Sequence, residues 1–221
     1  MSNLNQTLLK FELEQNFAYD DFFVSKCNHY AFSLIEIWPK WEKNILNIYG
    51  EKFSGKSHLS EIFKKKNKAI IIKTDEINDD FFNKIRFHEN IILDNLAYVS
   101  NEKILYSIFN FAEQFNKYLI INSIIPINLI DFSLPDLKSR LKNCIFAKIE
   151  KPDDDMIFAL VLKHFSDRQI KIEKKIIEYI TKRIERSYGK ILDFIYKVDQ
   201  FSLINKKPID YKSIKKILEE N

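Results

Sequence analysis

The pattern of apolar positions predicts a sheet of short buried strands. Continuous apolar runs bounded by polar or turn-forming residues predict five strands, at Ile45–Tyr49, Ala69–Ile72, Asn90–Asn95, Tyr118–Ser123 and Asn143–Ile149. Strands that are buried on both faces have unbroken apolar runs, which is typical of a parallel sheet covered by helices. The pattern therefore predicts an α/β fold with a five-stranded parallel sheet.

A helical pattern replaces the strands after residue 151. Apolar residues spaced three and four apart predict a helix that begins after Asp153 and runs through His164, with Asp153 as its N-cap. The same spacing predicts three further helices, at Ile172–Arg186, Gly189–Leu203 and Asp210–Leu218. We therefore expect a tail over residues 1–18, an α/β domain over residues 19–151 and a small helical domain over residues 152–221.

Residues Gly50–Ser57 match the phosphate-binding pattern of Gly, four residues of any type, Gly, Lys and Ser or Thr. A predicted strand precedes them and the apolar residues of His58–Phe63 continue as a helix, which is the context that the motif requires. Glycine allows the backbone N–H groups to converge on phosphate, and the helix N-terminus favours an anion. We therefore expect bound ATP or ADP. The expected contacts are Gly50, Glu51, Lys52, Phe53, Ser54, Gly55, Lys56, Ser57 and His58.

Lys56, Ser57 and Asp94 have expected roles in holding the phosphates and their metal ion. Lys56 is expected to reach the β- and γ-phosphates, and Ser57 to ligate Mg²⁺. Asp94 ends an apolar strand, so a parallel sheet would present its carboxylate to the same ion through water. The next residue is Asn95, which cannot act as a base.

Composition adds few constraints. Apolar residues make up 46% of the 221 residues, the net charge is +4, and no apolar run approaches the length that crosses a membrane. The early charges do not fit a signal peptide, so we expect a cytoplasmic protein without membrane contact. Cys27 and Cys144 have no metal-site spacing and are expected to be buried and reduced. The lysine-rich stretch 64–68 falls at the end of the helix after the phosphate loop and suits the helix dipole.

The segment Tyr19–Phe32 resembles the segment before the phosphate loop in the AAA+ domain of the DnaA-related family. This family contains the bacterial replication initiators and their shorter Hda-like relatives. The resemblance implies an AAA+ P-loop fold with a helical lid. It also implies that Phe22, Val24 and Asn28 lie near the adenine base, and that Asn28 opens the first helix. Ser25 stands where the family usually has glycine.

The segment Trp38–Trp41 is similar to one found in alphaproteobacterial members of the Hda branch, the HdaA type. The residues themselves favour a structural role, because two tryptophans around a proline more often anchor a loop to a core than bind a ligand.

The family also implies two positions that sense the γ-phosphate. The first follows the fourth strand, where Asn122 or Ser123 is the candidate. At the second, the usual arginine is replaced by Gly189, so Lys190 or Arg186 would have to substitute for it.

The segment Leu134–Leu141 resembles the part of the family that carries the arginine finger, the residue that one subunit extends into the nucleotide site of another protein. Arg140 is the matching residue. A planar guanidinium stabilises the charge of a transferring phosphoryl group. The alternative is that Arg140 forms an ordinary surface ion pair.

The tail contains Gln6, Leu9 and Phe11 in the spacing of the hexapeptide with which bacterial replication proteins bind the β sliding clamp. An amide and two apolar anchors suit an extended peptide in a hydrophobic groove. Considered alone, the same residues also fit a tail strand that packs on its own domain.

The resemblance as a whole implies a regulator similar to Hda. Such a protein binds ADP or ATP, binds the sliding clamp, and supplies Arg140 so that ATP-bound DnaA hydrolyses its ATP, which restrains initiation of DNA replication. Its own ATPase would be weak, and its partners would be the initiator and the clamp. Self-association, as an AAA+ assembly or a dimer, stays open. We expect no helix-turn-helix domain that reads specific DNA. The alternatives are an active AAA+ ATPase, such as a helicase loader or remodelling factor, and a plain origin or clamp adaptor.

Overall fold

The computed structural model describes residues 19–73, 81–96, 102–205 and 209–219. The strands are β1 (Ile45–Tyr49), β2 (Ile70–Lys73), β3 (Asn90–Leu96), β4 (Tyr118–Ser123) and β5 (Ile145–Lys148). They form one parallel sheet in the order β2-β3-β4-β1-β5. The predicted α/β fold with five parallel strands is confirmed, and β1 and β4 have the predicted bounds.

The helices lie between and after the strands. They are α1 (His29–Ile37), α2 (Lys56–Asn67), α3 (Phe81–Ile85), α4 (Glu102–Gln114), α5 (Pro135–Leu141), α6 (Asp154–Asp167), α7 (Lys174–Thr181), α8 (Tyr188–Asn205) and α9 (Tyr211–Glu219). Short 3-10 turns occur at Tyr19–Asp21 and Ile127–Leu129. Within the described ranges, no helix is long and apolar enough to cross a membrane.

Several elements differ from the predicted bounds; β2 and β5, for example, were predicted at Ala69–Ile72 and Asn143–Ile149. Two of these differences have a local cause. The strand predicted to end at Asn95 continues to Leu96, and its pairing with β4 shifts register between Leu93 and Leu96. Asn95 has a φ of 59° in this irregular segment, so Asp94 lies at a bulge and not at a strand end. Helix α7 is shorter than the predicted helix Ile172–Arg186. It ends at Thr181, whose hydroxyl donates to the backbone carbonyl of Ile177 and so competes with regular helix bonding.

Alternate side chains of each strand pack on opposite faces of the sheet. Leu46 and Ile48 of β1 pack with the buried residues of α1 and α2, whereas Ile45 packs with those of α4 and α5. Both faces are therefore covered by helices, which explains why the strands are apolar without alternation. The phosphate-loop helix α2 and the helix α5, which carries Arg140, lie on opposite faces.

The helices after Pro152 have a hydrophobic cluster of their own. Ile157, Phe165, Ile177 and Phe194 are among its buried members, and it draws on all of α6 to α9. Asp153 caps α6 as predicted, because its carboxylate accepts a hydrogen bond from the backbone N–H of Met156. We refer to α6 to α9 as the lid.

Trp38 and Trp41 anchor the loop that follows α1. Both rings pack against Phe63 of α2 and Tyr118 of β4, at centroid distances of 5.4–5.9 Å. The indole N–H of Trp41 donates to the backbone carbonyl of Leu34 at 2.6 Å. These contacts fit the structural role that the residue types favour.

A buried polar side chain, Asn47, holds the carboxyl ends of β1 and β4 together. Its amide nitrogen donates to the Ile121 carbonyl and to the Ser123 hydroxyl, both at 2.9 Å. Its amide oxygen accepts from the backbone N–H of Ile127 at 3.1 Å. All three bonds form at a fully buried position.

We expect Asn47→Ala to lower the free energy of unfolding by about 2–3 kcal/mol, because it leaves buried donors and acceptors without partners. Denaturation by urea, followed by circular dichroism, measures the change. The control is Asn128→Ala, the same substitution at an exposed position. Equal effects of the two variants would contradict the structural role of Asn47.

Candidate nucleotide-binding site

The phosphate loop joins β1 to α2, and its two glycines are required by geometry. A Cβ on Gly50 would lie 2.7 Å from the backbone oxygen of Ile149, which no ordinary side chain tolerates. Gly55 has a φ of 94°, and a Cβ there would lie 3.3 Å from the ring of Phe22. The loop therefore keeps the tight curvature that brings backbone N–H groups towards a phosphate chain.

Lys56 folds back onto the loop. Its Nζ donates to the backbone carbonyls of Gly50 and Glu51, both at 2.8 Å, and to Ser54 Oγ at 3.4 Å. Burial lowers the pKa of Lys56 from 10.5 to about 8, although the charges of Asp94 and Glu51 act in the opposite direction. A cation that is held by carbonyl and hydroxyl oxygens in a partly buried loop, without a carboxylate bonded to it, is suited to bind an anion.

Ser57, Asp94 and Asn122 meet at the carboxyl ends of β1, β3 and β4. Ser57 Oγ donates to Asp94 Oδ1 at 3.2 Å, and Asn122 Nδ2 donates to the same oxygen at 2.7 Å. Asn122 Nδ2 also lies 2.7 Å from Ser60 Oγ. The Ser123 hydroxyl instead donates to the carbonyl of Ile125 at 2.6 Å, so of the two candidate sensing residues only Asn122 contacts this cluster.

The cluster has the donor set that suits Mg²⁺ at a phosphate site. Among the described residues, no group of three or more His, Cys, Asp or Glu side chains could enclose a metal ion. Mg²⁺ usually takes one or two protein oxygens and completes its shell with phosphate and water, which fits Asp94 and Ser57. The buried Oδ1 of Asn122 has no hydrogen-bond partner within the described part of the chain.

A cleft of about 850 Å³ opens beside the phosphate loop. The predicted residues that line it are Phe22, Val24, Asn28, Phe53, Ser54, Gly55 and His58. The lid supplies the opposite wall with Met156, Leu160 and Tyr188, which the strand and loop motifs could not identify because they lie more than a hundred positions later. Aromatic and aliphatic walls of this kind suit a planar base.

Within this cleft, Phe22 and Asn28 have different roles. Phe22 stacks on Phe32, with centroids 5.8 Å apart, and meets the ring of His58 edge-on at 5.1 Å. Asn28 precedes α1 as predicted, but its amide is already used: Oδ1 accepts from the Ser25 N–H and Nδ2 donates to the Phe23 carbonyl, both at 2.9 Å. Asn28 therefore shapes the wall of the cleft through the turn before α1.

The lid meets the phosphate loop at the position of the second sensor. Gly189 donates its backbone N–H to Glu51 Oε1 at 3.3 Å, and the Ser187 hydroxyl donates to the same oxygen. Arg186 instead pairs with Asp154 at 2.6 Å, with both side chains more than half exposed. Lys190 lies half-buried in the first turn of α8.

Arg140 lies away from this cleft, on α5. It pairs with Glu113 of α4, and its guanidinium carbon lies 5.4 Å from the centroid of the Tyr106 ring. Asp136, Ser139 and Asn143 line the same depression, which measures about 360 Å³. In the single chain, Arg140 thus forms the surface ion pair that was the alternative to a finger.

The predicted clamp-binding residues Gln6, Leu9 and Phe11 lie outside the described residues. The structure brings together the residues predicted to contact the phosphates, the metal ion and the base, and it places Arg140 apart from them.

Known proteins of similar sequence include replication initiators. The chain is 21% identical over 234 residues to the chromosomal replication initiator DnaA of Cutibacterium acnes, covering 94% of this chain and 47% of that protein. It is 24% identical over 244 residues to DnaA of Caldanaerobacter subterraneus subsp. tengcongensis, covering 99% of this chain and 55% of that protein. The chain thus spans about half the length of these relatives. No protein-family model matches it.

Solved structures show the same fold. Domain III of DnaA from Thermotoga maritima superposes with a TM-score of 0.75 at 17% identity, over 92% of this chain and 96% of that chain. AMPPCP-bound DnaA from Aquifex aeolicus superposes with a TM-score of 0.69 at 19% identity, over 89% of this chain and 66% of that chain. A variant of RuvB from Thermotoga maritima superposes with a TM-score of 0.67 at 16% identity, over 92% of this chain and 72% of that chain. The fold is that of the AAA+ P-loop NTPases.

We expect nucleotide affinity to fall as the pH rises above about 8. Lys56 with a pKa of about 8 is charged below that pH and must regain its proton to contact phosphate above it. Since a bound phosphate raises the pKa of Lys56, binding at pH 8.5 should take up roughly three quarters of a proton. Calorimetry of ADP binding in buffers with different ionisation enthalpies measures this uptake.

Lys64→Ala, at an exposed position in the last turn of α2, is the control and should leave the proton uptake unchanged. Uptake near zero for the wild-type protein at pH 8.5 would contradict the role of Lys56.

Proposed function

We propose that this protein is a nucleotide-binding AAA+ regulator of the Hda type. It binds ADP or ATP with Mg²⁺ between the phosphate loop and the lid, and it acts on a second protein through Arg140. The target is the replication initiator DnaA, whose bound ATP is hydrolysed when Arg140 enters its nucleotide site. The result is negative regulation of replication initiation.

The position of Arg140 carries this proposal. α5 packs on the face of the sheet opposite to α2, and Arg140 precedes the amino end of β5, whereas the phosphate loop follows the carboxyl end of β1. Arg140 therefore cannot reach the phosphate loop of its own chain. Its side chain is 29% exposed, so a partner's phosphate can compete with Glu113 for the guanidinium. An arginine placed in this way could act on a nucleotide only if that nucleotide is held by another protein.

The chain's own nucleotide has a structural role in this proposal. Lys56 and the loop N–H groups hold the phosphates, Asp94 and Ser57 hold Mg²⁺, and the lid covers the base. The metal ion would neutralise phosphate charge and fix the phosphate geometry. Asn95 follows Asp94 and supplies no base to activate water, which supports weak intrinsic turnover. Bound nucleotide therefore serves to order the loop and the lid.

The similarity to DnaA supports the replication context, and the tail supplies the second contact of the proposal. Gln6, Leu9 and Phe11 would bind the sliding clamp as an extended peptide. Tethering by the clamp raises the local concentration of Arg140 near the initiator on DNA, so a weak contact through α5 is sufficient.

We expect the protein to accelerate single-turnover hydrolysis of ATP held by the cognate initiator, in the presence of DNA-loaded clamp. Arg140→Ala should reduce that acceleration about a thousandfold, because no guanidinium then stabilises the charge on the transferring phosphoryl group. The matched control is Arg183→Ala. Arg183 also stacks on a tyrosine, Tyr179, with its guanidinium carbon 3.8 Å from the ring centroid, but it lies in the lid.

The same experiment separates the competing functions. An active ATPase would hydrolyse ATP without the initiator, lose this activity in Lys56→Ala, and leave the initiator's rate unchanged. A plain clamp or origin adaptor would bind without changing either rate. Either result would overturn the regulator proposal, as would equal activity of Arg140→Ala and Arg183→Ala.

We expect Gln6→Ala to weaken binding to the clamp at least about tenfold, because the amide loses its hydrogen bonds at the rim of the groove. Surface plasmon resonance with immobilised clamp measures the affinity. Gln15→Ala makes the same change later in the tail and should leave the affinity unchanged. If neither substitution changes binding, the hexapeptide is not the clamp-binding element.

A further inference from the structure

Glu51, the second residue of the phosphate loop, connects the loop to the lid. Its Oε1 accepts the Ser187 hydroxyl and the backbone N–H of Gly189, which lies 3.3 Å away in the first turn of α8. A carboxylate at the N-terminus of a helix is stabilised by the free N–H groups and the helix dipole. Glu51 therefore caps α8 from the other side of the nucleotide cleft, although it is 136 residues away from Ser187 in sequence.

The first turn of α8 is also fixed by Tyr188. This side chain is 3% exposed and belongs to the hydrophobic cluster of the α1–α2 side of the sheet, not to that of the lid. Its hydroxyl donates to the Glu150 carbonyl at 3.3 Å and lies 3.3 Å from Cys27 Sγ. The contact of Glu51 with α8 is thus part of a packed interface and not an isolated surface bond.

The position of Glu51 has an electrostatic consequence for phosphate binding. Its charge acts on Lys56, the residue placed to contact the β- and γ-phosphates. The terminal phosphate of a triphosphate would bring additional negative charge to the space between loop and lid, where α8 already has an anion at its N-terminus. Gly189 does not need to be glycine for steric reasons, since a Cβ there would make only ordinary contacts, at 3.7 Å and beyond.

We propose that Glu51 is a specificity-determining residue that latches the lid to the phosphate loop in the absence of nucleotide and makes the site favour a nucleoside diphosphate over a triphosphate. The carboxylate takes the position at the α8 N-terminus that a terminal phosphate would otherwise use. The Glu51 carboxylate then holds the lid against the phosphate loop, and its negative charge repels the third phosphate of a triphosphate. The selectivity, unlike the latch, depends on the proposed nucleotide site.

The latch is tested first on the nucleotide-free protein. Glu51→Ala removes the acceptor, and we expect amide hydrogen exchange in residues 187–191 to accelerate at least about tenfold, because the Gly189 N–H loses its partner. Ser107→Ala is the control. It removes a hydroxyl within α4, away from the lid, and should leave exchange in residues 187–191 unchanged. Unchanged exchange in Glu51→Ala would overturn the latch.

The selectivity is tested by calorimetry of ADP and ATP binding with Mg²⁺. Glu51→Gln keeps an oxygen that can accept the Gly189 N–H but removes the charge, so we expect the ratio of ATP to ADP affinity to rise about fivefold. Glu61→Gln, the same change on α2, should leave the ratio unchanged.

Two results overturn the selectivity. The first is a wild-type protein that binds ATP more than about tenfold tighter than ADP. The second is an equal ratio in Glu51→Gln and wild type. If the wild-type protein binds neither nucleotide, both the proposed function and the selectivity fail, whereas faster exchange in Glu51→Ala would still support the latch.

Discussion

The alignment of parallel strand ends is the constraint on which the candidate site depends. β1, β4 and β3 are neighbours in the sheet, so the residues at their carboxyl ends share one edge. This places Ser57 and Asn122 on the same oxygen of Asp94, although the three residues are widely separated in sequence. The buried amide of Asn47 stabilises this edge of the sheet, because it joins the carboxyl ends of β1 and β4.

The described part of the chain contains two polar regions whose surroundings differ. One lies between the phosphate loop and the lid, where convergent donors, a half-buried lysine and an apolar cleft suit a nucleotide. The other is the depression around Arg140, where an acid and an aromatic ring hold a single cation on the opposite face of the sheet. This separation supports the proposal that the protein holds its own nucleotide for structure and acts on the nucleotide of a partner.

Contacts within the protein join the lid to the rest of the chain. Glu51 and Tyr188 join the first turn of α8 to the phosphate loop and to the sheet, respectively. The N-terminus of α8 is occupied by a carboxylate of the phosphate loop itself, that of Glu51. A bound nucleotide would add to an interface that already exists, which agrees with the structural role proposed for it.

The sequence by itself determined the parallel sheet, the phosphate loop and the cap of α6, because these depend on local patterns of apolar residues, glycines and a capping acid. It also indicated Asp94, but the bulge at Asn95 and the short α7 depend on strand pairing and local hydrogen bonds that periodicity does not encode. Only the tertiary structure decided which of Asn122 and Ser123 contacts Asp94, because neighbouring side chains in a strand point to different surroundings. It likewise decided the pairing of Arg140 with Glu113 and of Glu51 with α8, because long-range contacts between polar groups leave no regular spacing in the chain.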